Sequence, residues 1–480
     1  MRITLFHMTK KNQIEVIRIT CAAASLMVLL LAGFSQNAAA QSAGASDDVL
    51  IKNATVLTVT NGTFENTDVL VQDGVITQIG SDLSAPGGVA TIDATGQFLM
   101  PGIVDAHSHI ALSSINEGSS PVTAEVSMED VLNPYHIGIY RALAGGVTTS
   151  HTMHGSANVI GGQNETIKHR WGKINPDEIR FEGAPRTIKF ALGENPTRNH
   201  GGRAGSGSRP GIRPNSRMGV EAVLRDTFTE AERYMQDWDE YEAAGGDSSG
   251  KARPEHSERL EVIADILRGE ILVHCHSYRA DEILMLLGVL GDFGVKNITF
   301  QHANEGFKVA PELAAFGAGA SVFSDWWAYK MEVYYSTAYN ATILTRNGVL
   351  TSINSDSGEL NRHLYHEAAK TQRYGDLSDD EALALITINP ALQLGIADRV
   401  GSIEVGKDAD LVLFNEHPLS IYAIAQKTFV DGIKYFDRES DRDDQRIRVN
   451  PSAELDTYME QETSVHHNDY VSLDILFEKK

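Results

Sequence analysis

Two pairs of histidines, each pair separated by a single residue, end β-prone runs of the sequence. His107 and His109 end MPGIVDAHSH, and His274 and His276 end ILVHCH. Side chains two residues apart on a strand point to the same face, so each pair presents two imidazoles together. Neutral imidazole is a good ligand for zinc and similar divalent ions, and a catalytic site leaves one ligand position open for water. These spacings therefore predict a metal site.

Two further potential ligands end similar runs elsewhere in the chain. His302 ends NITFQH, and Asp356 lies in INSDS after a β-prone run. A single histidine at a strand end is usually a packed or hydrogen-bonded residue. Five histidines and one aspartate, all at predicted strand ends, instead indicate one shared site, if the fold brings these ends together.

The elements that must position these side chains alternate between strand and helix. ILVHCHS precedes the helical pattern ADEILMLLGVLGDF, and NITFQHA precedes APELAAF. Such alternation predicts an α/β fold with a parallel sheet, and in an α/β barrel the chemistry lies at the carboxyl ends of the strands. The eight predicted barrel strands are 98–109, 147–154, 165–170, 187–192, 271–276, 297–302, 320–323 and 350–356.

The two ends of the chain share a different pattern. Between residues 49 and 92, and again between 400 and 436, short β-prone runs are separated by turn signals such as Asn61-Gly62 and Asp73-Gly74, which is typical of antiparallel hairpins. We predict that both ends contribute to one small β-sandwich. The predicted divisions are a signal peptide (1–40), the first part of the sandwich (41–97), the barrel (98–398), the second part of the sandwich (399–437) and a charged tail (438–480).

The first forty residues predict export. Basic residues precede an apolar run from residue 19 to residue 34, and small residues follow up to Ala40, which is the pattern of a secretory signal peptide. We expect a secreted or periplasmic protein with no membrane attachment after cleavage. Cys275 is then the one remaining cysteine, so no internal disulfide can form. The net charge of −23, without a basic block, lacks the electrostatic footprint of a nucleic-acid-binding protein.

Several of these runs resemble the motifs of one enzyme family. MPGIVDAHSHI, VHCHSYRADEI, TFQHANEG, INSDSGEL and GSIEVGKDADLVLF are similar to the metal-dependent amidohydrolase superfamily. Within it they resemble most the imidazolonepropionase-like hydrolases and the related zinc carboxypeptidases and prolidases. The resemblance extends from residue 49 to residue 437. It implies a distorted (β/α)8 TIM barrel with a small β-sandwich formed by both chain ends, and a hydrolase acting on carbon–nitrogen bonds.

The resemblance also implies a role for each metal-ligating residue. His107 and His109 would hold the more buried ion together with Asp356, while His274 and His302 would hold a second ion. Asp356 would in addition carry a proton from the attacking water to the leaving nitrogen. The implied cofactor is a divalent metal, zinc by its imidazole ligands, with two ions per chain.

The carboxylate that bridges two ions in such enzymes has two candidates here. Members of the superfamily often use a carbamylated lysine on the fourth strand. Lys189, in APRTIKFALGEN, lies between Ile188 and Phe190, which would aim its amine inward, and a buried lysine shifts its pKa readily. Glu194, five residues later, would bridge without modification. The spacing leaves both open.

Other side chains are candidates for proton transfer and substrate binding. His276 would contact substrate, pass protons or orient a ligand through hydrogen bonds. Arg198 and Arg217 lie in a segment rich in glycine and arginine after the fourth strand, and arginine binds carboxylates through two hydrogen bonds. Tyr329, after the seventh strand, would line an apolar subsite or pack within the fold. Cys275, on the other strand face, is predicted in the core.

These candidates predict a small-molecule or short-peptide substrate of the kind that a dipeptidase or carboxypeptidase cleaves. Barrel enzymes of this type often form homo-oligomers, and no feature of the sequence sets a number of copies. A mononuclear cyclic-amide hydrolase or deaminase is the alternative, although it would place an acid soon after the fifth-strand histidine, whereas Asp281 and Glu282 come late. A secreted, non-catalytic metal-binding protein is a second alternative, which a missing ligand would indicate.

Overall fold

The computed structural model describes residues 48–201, 213–327 and 329–440. The predicted signal peptide (1–40), part of the arginine-rich segment (202–212) and the predicted tail beyond residue 440 lie outside the described residues. Apart from Pro86–Val89, the described residues belong to one compact unit. Within these ranges, no helix is both long and apolar enough to cross a lipid bilayer.

The described residues form sixteen strands and ten α-helices. The strands are β1 (Val49–Leu57), β2 (Thr63–Gln72), β3 (Val75–Gly80), β4 (Ala90–Asp93), β5 (Phe98–Pro101), β6 (Ile103–Ser108), β7 (Val147–Thr152), β8 (Ile160–Lys168), β9 (Thr187–Ala191), β10 (Leu272–Ser277), β11 (Ile298–His302), β12 (Gly319–Val322), β13 (Leu350–Ile353), β14 (Leu411–Phe414), β15 (Ala425–Val430) and β16 (Ile433–Asp437). The helices are α1 (Ile137–Ala144), α2 (Glu194–Gly201), α3 (Arg217–Ala243), α4 (Glu258–Arg268), α5 (Ala280–Asp292), α6 (Ala310–Phe316), α7 (Asn340–Arg346), α8 (Leu364–Gly375), α9 (Asp379–Ala384) and α10 (Ile388–Gln393).

Eight strands, β6 to β13, form a nearly closed barrel sheet in which neighbours in the chain are neighbours in space. Every residue of β6, β7 and β9 is buried, as expected where both faces of a strand are covered. Strand β8 pairs antiparallel with both β7 and β9, because no helix intervenes between β7 and β8 in this described stretch and the chain turns back directly. The prediction of a parallel sheet is therefore wrong at β8, and the barrel is distorted.

The first predicted barrel strand, 98–109, is in fact two strands in different sheets. Strand β5 belongs to a sheet built from the chain ends, and β6 begins the barrel after Gly102. A Cβ atom at Gly102 would lie 2.1 Å from the Thr148 hydroxyl oxygen. Glycine therefore lets the chain pass close to β7 as it changes sheets. Hydrophobicity runs across this junction, so the sequence pattern conceals it.

Strands from both chain ends share the second sheet. Its order is β16-β15-β14-β5-β1-β2-β3, with β4 paired to β1. Strand β14 pairs antiparallel with β5, which in turn pairs parallel with β1. The apolar side chains of these strands form one buried cluster that includes Ile51, Val69, Leu99 and Phe429. The predicted meeting of the two ends is thus observed as a single mixed sheet, and its arrangement as a sandwich stays a prediction.

Helices after the barrel strands supply the outer core. Helix α5 buries Ile283, Leu286 and Leu290, whose spacing of three and four residues gives one apolar face. This face packs in the same cluster as Cys275 and Phe300, which point outward from β10 and β11. The prediction that Cys275 is a core residue is confirmed.

A buried cation joins the barrel to the terminal sheet. Lys168 ends β8 and its side chain has no exposed area. Its Nζ lies 2.6 Å from Asp408 and 3.2 Å from Asp410, and it also contacts Asp431. Burial alone would lower the pKa of Lys168, but the three carboxylates outweigh burial and raise it. The amine is therefore charged. It interacts with Asp408 and Asp410, which precede β14, and with Asp431, which lies between β15 and β16.

We expect Lys168→Met to lower the free energy of unfolding by about 3–5 kcal/mol, because it leaves the buried carboxylate of Asp410 without its cation, whereas Asp408 and Asp431 keep Arg399 and Arg170. Urea unfolding followed by circular dichroism measures the change. Lys173→Met is the matched control, since Lys173 pairs with Glu178 at the surface (3.2 Å, with both side chains about two-fifths exposed) and such pairs contribute less than about 1 kcal/mol. Equal losses in the two variants would contradict the stabilising role of Lys168.

Candidate metal centre

Side chains from several barrel strands meet at one rim of the barrel. His107 lies near the end of β6 and His109 directly follows it, His276 lies on β10, and His302 ends β11. The ring of His107 is 5.2 Å from that of His109 and 4.8 Å from that of His302, which is 4.7 Å from His276. Positions more than 190 residues apart in the chain therefore converge, as the strand-end pattern predicts.

The Asp356 carboxylate, three residues beyond β13, faces these imidazoles. Its Oδ1 lies 3.4 Å from His107 Nε2 and 3.2 Å from His109 Nε2, and its Oδ2 lies 3.9 Å from His302 Nε2. Potential ligand atoms of His107, His109 and Asp356 all lie within 4.8 Å of one another. Three of the predicted ligands are thus close enough to share one ion.

The other ring nitrogens show which atoms of these imidazoles carry hydrogen. His109 Nδ1 lies 2.8 Å from the Met153 carbonyl oxygen and must donate to it. His107 Nδ1 donates to Gln301 Oε1 at 3.1 Å, while His107 Nε2 accepts from the Lys189 amine at 3.0 Å. In its neutral form each of these imidazoles carries its one hydrogen on Nδ1, which leaves the lone pair on Nε2.

Asp356 Oδ1, which is also an acceptor, lies 3.4 Å from His107 Nε2 and 3.2 Å from His109 Nε2. The Lys189 amine already donates to His107 Nε2. A proton on His109 Nε2 would join only that ring to Asp356, whereas a metal ion bound by all three atoms would join both rings to the carboxylate. The donor set, two imidazoles and a carboxylate, is one that zinc and related divalent ions accept.

Burial keeps the site's bases in metal-binding form. It lowers the pKa of His302 to about 3 and holds that of His107 well below its usual range, with Lys189 adding to the effect on His107. Burial also lowers the pKa of the Lys189 amine to about 8. Burial would raise the pKa of Asp356, but a hydrogen bond from His109 and the nearby Lys189 amine outweigh burial and lower the pKa. The site therefore combines two imidazoles of lowered pKa, those of His107 and His302, with an ionised carboxylate.

A second group of nitrogens at the rim has no hydrogen-bond partner. Both ring nitrogens of His302 and Nε2 of His274 are buried without one among the described residues. Buried polar atoms are rarely left unsatisfied in folded proteins, and a second cation could be bound by His274 Nε2 and by one of the two His302 nitrogens. His274 pairs in register with Lys189, and His276 with Ala191, so His274 lies deeper in the barrel. The ligand role of His274 stays a prediction.

Gln301 is a site residue that the sequence reasoning missed. Its Oε1 accepts from His107 Nδ1, and its Nε2 donates to His274 Nδ1 at 3.0 Å. Strand alternation would put Gln301 and His302 on opposite faces. His302, however, has a φ of 67°, and this left-handed backbone at the strand end turns its ring towards the rim. The position of Gln301 directly before the predicted ligand His302 is the sequence feature that could have identified it as a site residue.

A second missed residue, Asp105, helps to close the barrel. It accepts hydrogen bonds from the backbone N–H (3.1 Å) and hydroxyl (2.5 Å) of Ser355. The Asp356 N–H donates to the His107 carbonyl at 3.0 Å. Burial raises the pKa of Asp105 to about 7, against the lowering effect of the Ser355 hydrogen bonds. This contact of the first and last barrel strands sets the place of Asp356.

The two predicted substrate-binding arginines already have carboxylate partners. Arg198 pairs with Glu194 at 3.0 Å, and Arg217 pairs with Glu332 at 2.7 Å and with Glu282. Glu194, the alternative bridging residue, therefore takes part in an ion pair within α2, whereas Lys189 contacts the His107 ring.

Tyr329, the third predicted substrate-binding residue, lies among aromatic side chains. Its ring is 5.9 Å from Trp326 and 6.4 Å from Tyr278. Tyr278 stacks on His302, with ring centroids 5.3 Å apart, so Tyr329 is one ring removed from the metal centre.

Known proteins with similar sequences and structures are amidohydrolases. The profile of the amidohydrolase family matches residues 335–435. A crystal structure of an amidohydrolase from Thermotoga maritima is 36% identical, with a TM-score of 0.73 over 81% of this chain and 100% of that one. Amidohydrolase tasK of Hapsidospora irregularis is 33% identical over 77% of this chain, which spans only 40% of that protein. The 5-methylthioadenosine/S-adenosylhomocysteine deaminase of Symbiobacterium thermophilum is 24% identical over 76% of this chain and 85% of its own length.

The chain covers the whole Thermotoga protein at 36% identity. This match, together with the barrel and the imidazoles at its rim, identifies the class of protein. The chain belongs to the amidohydrolase family. It is therefore one of the hydrolases that act on carbon–nitrogen bonds.

We expect Gln301→Leu to weaken zinc binding by about 10–100-fold, because partners that orient ligating imidazoles contribute about that much to metal affinity. Titration against a fluorescent zinc chelator measures the change. The matched control is Gln393→Leu, another buried amide, which instead bonds Ser352 and the backbone of β12 and β13. Unchanged affinity in Gln301→Leu, or an equal loss in both variants, would be inconsistent with this orienting role.

Proposed function

We propose that the protein hydrolyses an amide or peptide-like carbon–nitrogen bond with the help of divalent metal ions at the barrel rim. The observation that carries the proposal is the double contact of Asp356 Oδ1 with Nε2 of His107 and Nε2 of His109, at 3.4 and 3.2 Å. Zinc is the proposed ion, because neutral imidazoles with one carboxylate are typical zinc ligands.

A second ion would be held by His302 with His274, and Lys189 would bridge the two ions as a carbamate. The partnerless nitrogens of His302 and His274 support the second position. The Lys189 amine is fully buried and lies 3.0 Å from His107 Nε2. Addition of the neutral amine to carbon dioxide forms an N–C bond and releases one proton, which converts a cation into an oxygen ligand.

Metal ions at this place would supply a nucleophile from water at neutral pH and polarise the substrate carbonyl. Asp356 would accept the proton of the attacking water and deliver it to the leaving nitrogen, acting first as general base and then as general acid. Its lowered pKa, to which a hydrogen bond from His109 contributes against burial, keeps it ionised, and the ionised carboxylate is the form that can accept a proton. His276, whose Nε2 lies 3.4 Å from Asn195 Nδ2, faces the same space and would contact substrate or pass protons.

The proposed substrates are small acylated amino acids and short peptides. Deamination or opening of a cyclic amide is the second candidate, supported by the similarity to the Symbiobacterium deaminase. Such a reaction would use an acidic residue close to the fifth-strand histidine. Glu282 does not fill this role, because it is paired with Arg217 and accepts a hydrogen bond from the Gly193 N–H at 3.0 Å.

We also propose that residues 1–40 direct export to the periplasm or the medium and are removed, and that the mature enzyme forms a homo-oligomer. The apolar run with its basic start and small-residue end supports export. Cell fractionation, amino-terminal sequencing and light scattering test these statements.

We expect the purified protein to contain two zinc ions per chain by elemental analysis and to lose its hydrolysis of N-acetyl amino acids and dipeptides in the presence of a chelator. One ion per chain would instead favour the cyclic-amide hydrolase or deaminase. A metal-loaded protein without activity on any of these amides would favour the non-catalytic alternative.

We expect Asp356→Asn to retain metal but to lower kcat by at least about 100-fold, because the amide cannot accept and return the proton. Asp325→Asn is the control, since Asp325 pairs with Lys370 at 2.8 Å outside the imidazole cluster and should leave kcat near that of the wild type. Full activity in Asp356→Asn would overturn the assignment.

A further inference from the structure

Lys330 is a buried cation beside the candidate metal centre that the proposed mechanism does not use. It precedes the short 3₁₀ turn Met331–Val333, after β12, and its side chain has no exposed area. Its Nζ lies 3.4 Å from Asn195 Oδ1 and 4.3 Å from the centre of the Tyr278 ring. A buried charge normally has close, hydrogen-bonded partners.

The Lys330 ammonium is short of such partners. It can donate three hydrogen bonds, yet the contact with Asn195 is long, and the nearest carboxylate oxygens, of Glu194 and Glu332, are 3.8 Å away. The closer partners of both glutamates bind the other carboxylate oxygens. Glu332 Oε1 accepts from Arg217 at 2.7 Å and from the Glu194 N–H at 3.0 Å, and Glu194 Oε2 accepts from Arg198 at 3.0 Å. The oxygens that face Lys330 attract its charge but at 3.8 Å are too distant for hydrogen bonds, so Lys330 keeps donor capacity that another group can use.

The Lys330 amine, with its unused hydrogen-bond donor capacity, lies next to the imidazoles. Asn195 connects Lys330 to the metal centre, because its Oδ1 faces Lys330 while its Nδ2 lies 3.4 Å from His276 Nε2 and 2.7 Å from the Ser156 hydroxyl. The Lys330 amine lies over the ring of Tyr278, and this ring stacks on His302. Lys330 is thus one side chain away from two of the rim histidines.

The chemistry of this position selects a singly charged anion. The two arginines expected to bind anions are engaged by Glu194, Glu282 and Glu332. A carboxylate would supply the short hydrogen bonds that Lys330 lacks, and charge-assisted bonds of this kind are about twice as strong as neutral ones. A doubly charged phosphoryl group would meet stronger repulsion from the glutamates 3.8 Å away.

We infer that Lys330, positioned by Asn195, binds the free carboxylate of the substrate and makes the enzyme selective for amides that stand next to a carboxylate, as in N-acyl amino acids and dipeptides. This inference rests on the proposed amide hydrolysis and names the substrate class of the same site.

The kinetic test compares N-acetyl amino acids with their primary amides, which differ only in the negative charge. The wild type should prefer the acids in kcat/KM by at least about tenfold. Lys330→Met should lose about 100-fold on the acids and less than threefold on the amides, since removing one partner of a buried charged contact has an effect of this size. Lys330→Arg should recover part of the preference. Lys308→Met, at a lysine one-third exposed that pairs with Glu305, should leave the preference intact.

A binding test separates this inference from the proposed function. Calorimetry on Asp356→Asn, which should not turn over, should give tighter binding of the acid than of the amide, and adding Lys330→Met should remove the difference. Lys330→Gln is the second variant if methionine at this position prevents folding. Equal loss on acids and amides, absence of a preference in the wild type, or failure of the acid to bind would overturn the role of Lys330. Absence of hydrolysis with selective acid binding would overturn only the proposed reaction.

Discussion

The close approach of the Asp356 carboxylate to two imidazole nitrogens is the interaction on which the rest of the site depends. Hydrogen bonds of Nδ1 in His107 and in His109 leave Nε2 of each ring facing the carboxylate, and burial holds the pKa of His107 well below its usual range. Asp356 Oδ1 lies 3.4 Å from His107 Nε2 and 3.2 Å from His109 Nε2. A cation bound by all three atoms would stabilise this arrangement.

Much of the barrel serves to hold these acceptors in place. Gln301 orients two imidazoles at once, and the Ser355 hydrogen bonds to Asp105 bring the last strand to the first. The junction around Lys168 ties β8 to acids at the edge of the terminal sheet. This protein thus positions its candidate ligands through backbone and polar contacts at strand ends, while the apolar core lies behind them.

The sequence predicted the features that follow from local spacing. A period of two along a strand places His107 beside His109, and strand–helix alternation places distant strand ends at one rim. It did not predict the antiparallel direction of β8, because an apolar run does not show which way its strand runs. It also did not predict the change of sheet at Gly102, because hydrophobicity continues across this residue. The roles of Arg198, Arg217 and Lys330 depend on which carboxylates the fold brings to each cation, and no spacing within one segment contains that information. The left-handed backbone of His302 likewise breaks the alternation from which its direction would be read.

A crystal structure of the zinc-loaded full chain, with anomalous data collected on both sides of the zinc absorption edge, would show whether Asp356 and the two imidazoles share one ion. We expect a zinc peak about 2.0–2.2 Å from Nε2 of His107, Nε2 of His109 and an Asp356 oxygen, and a second peak beside His302 with planar density extending from the Lys189 amine. Zinc bound elsewhere, or Asp356 hydrogen-bonded to a protonated imidazole with no peak between them, would contradict this expectation.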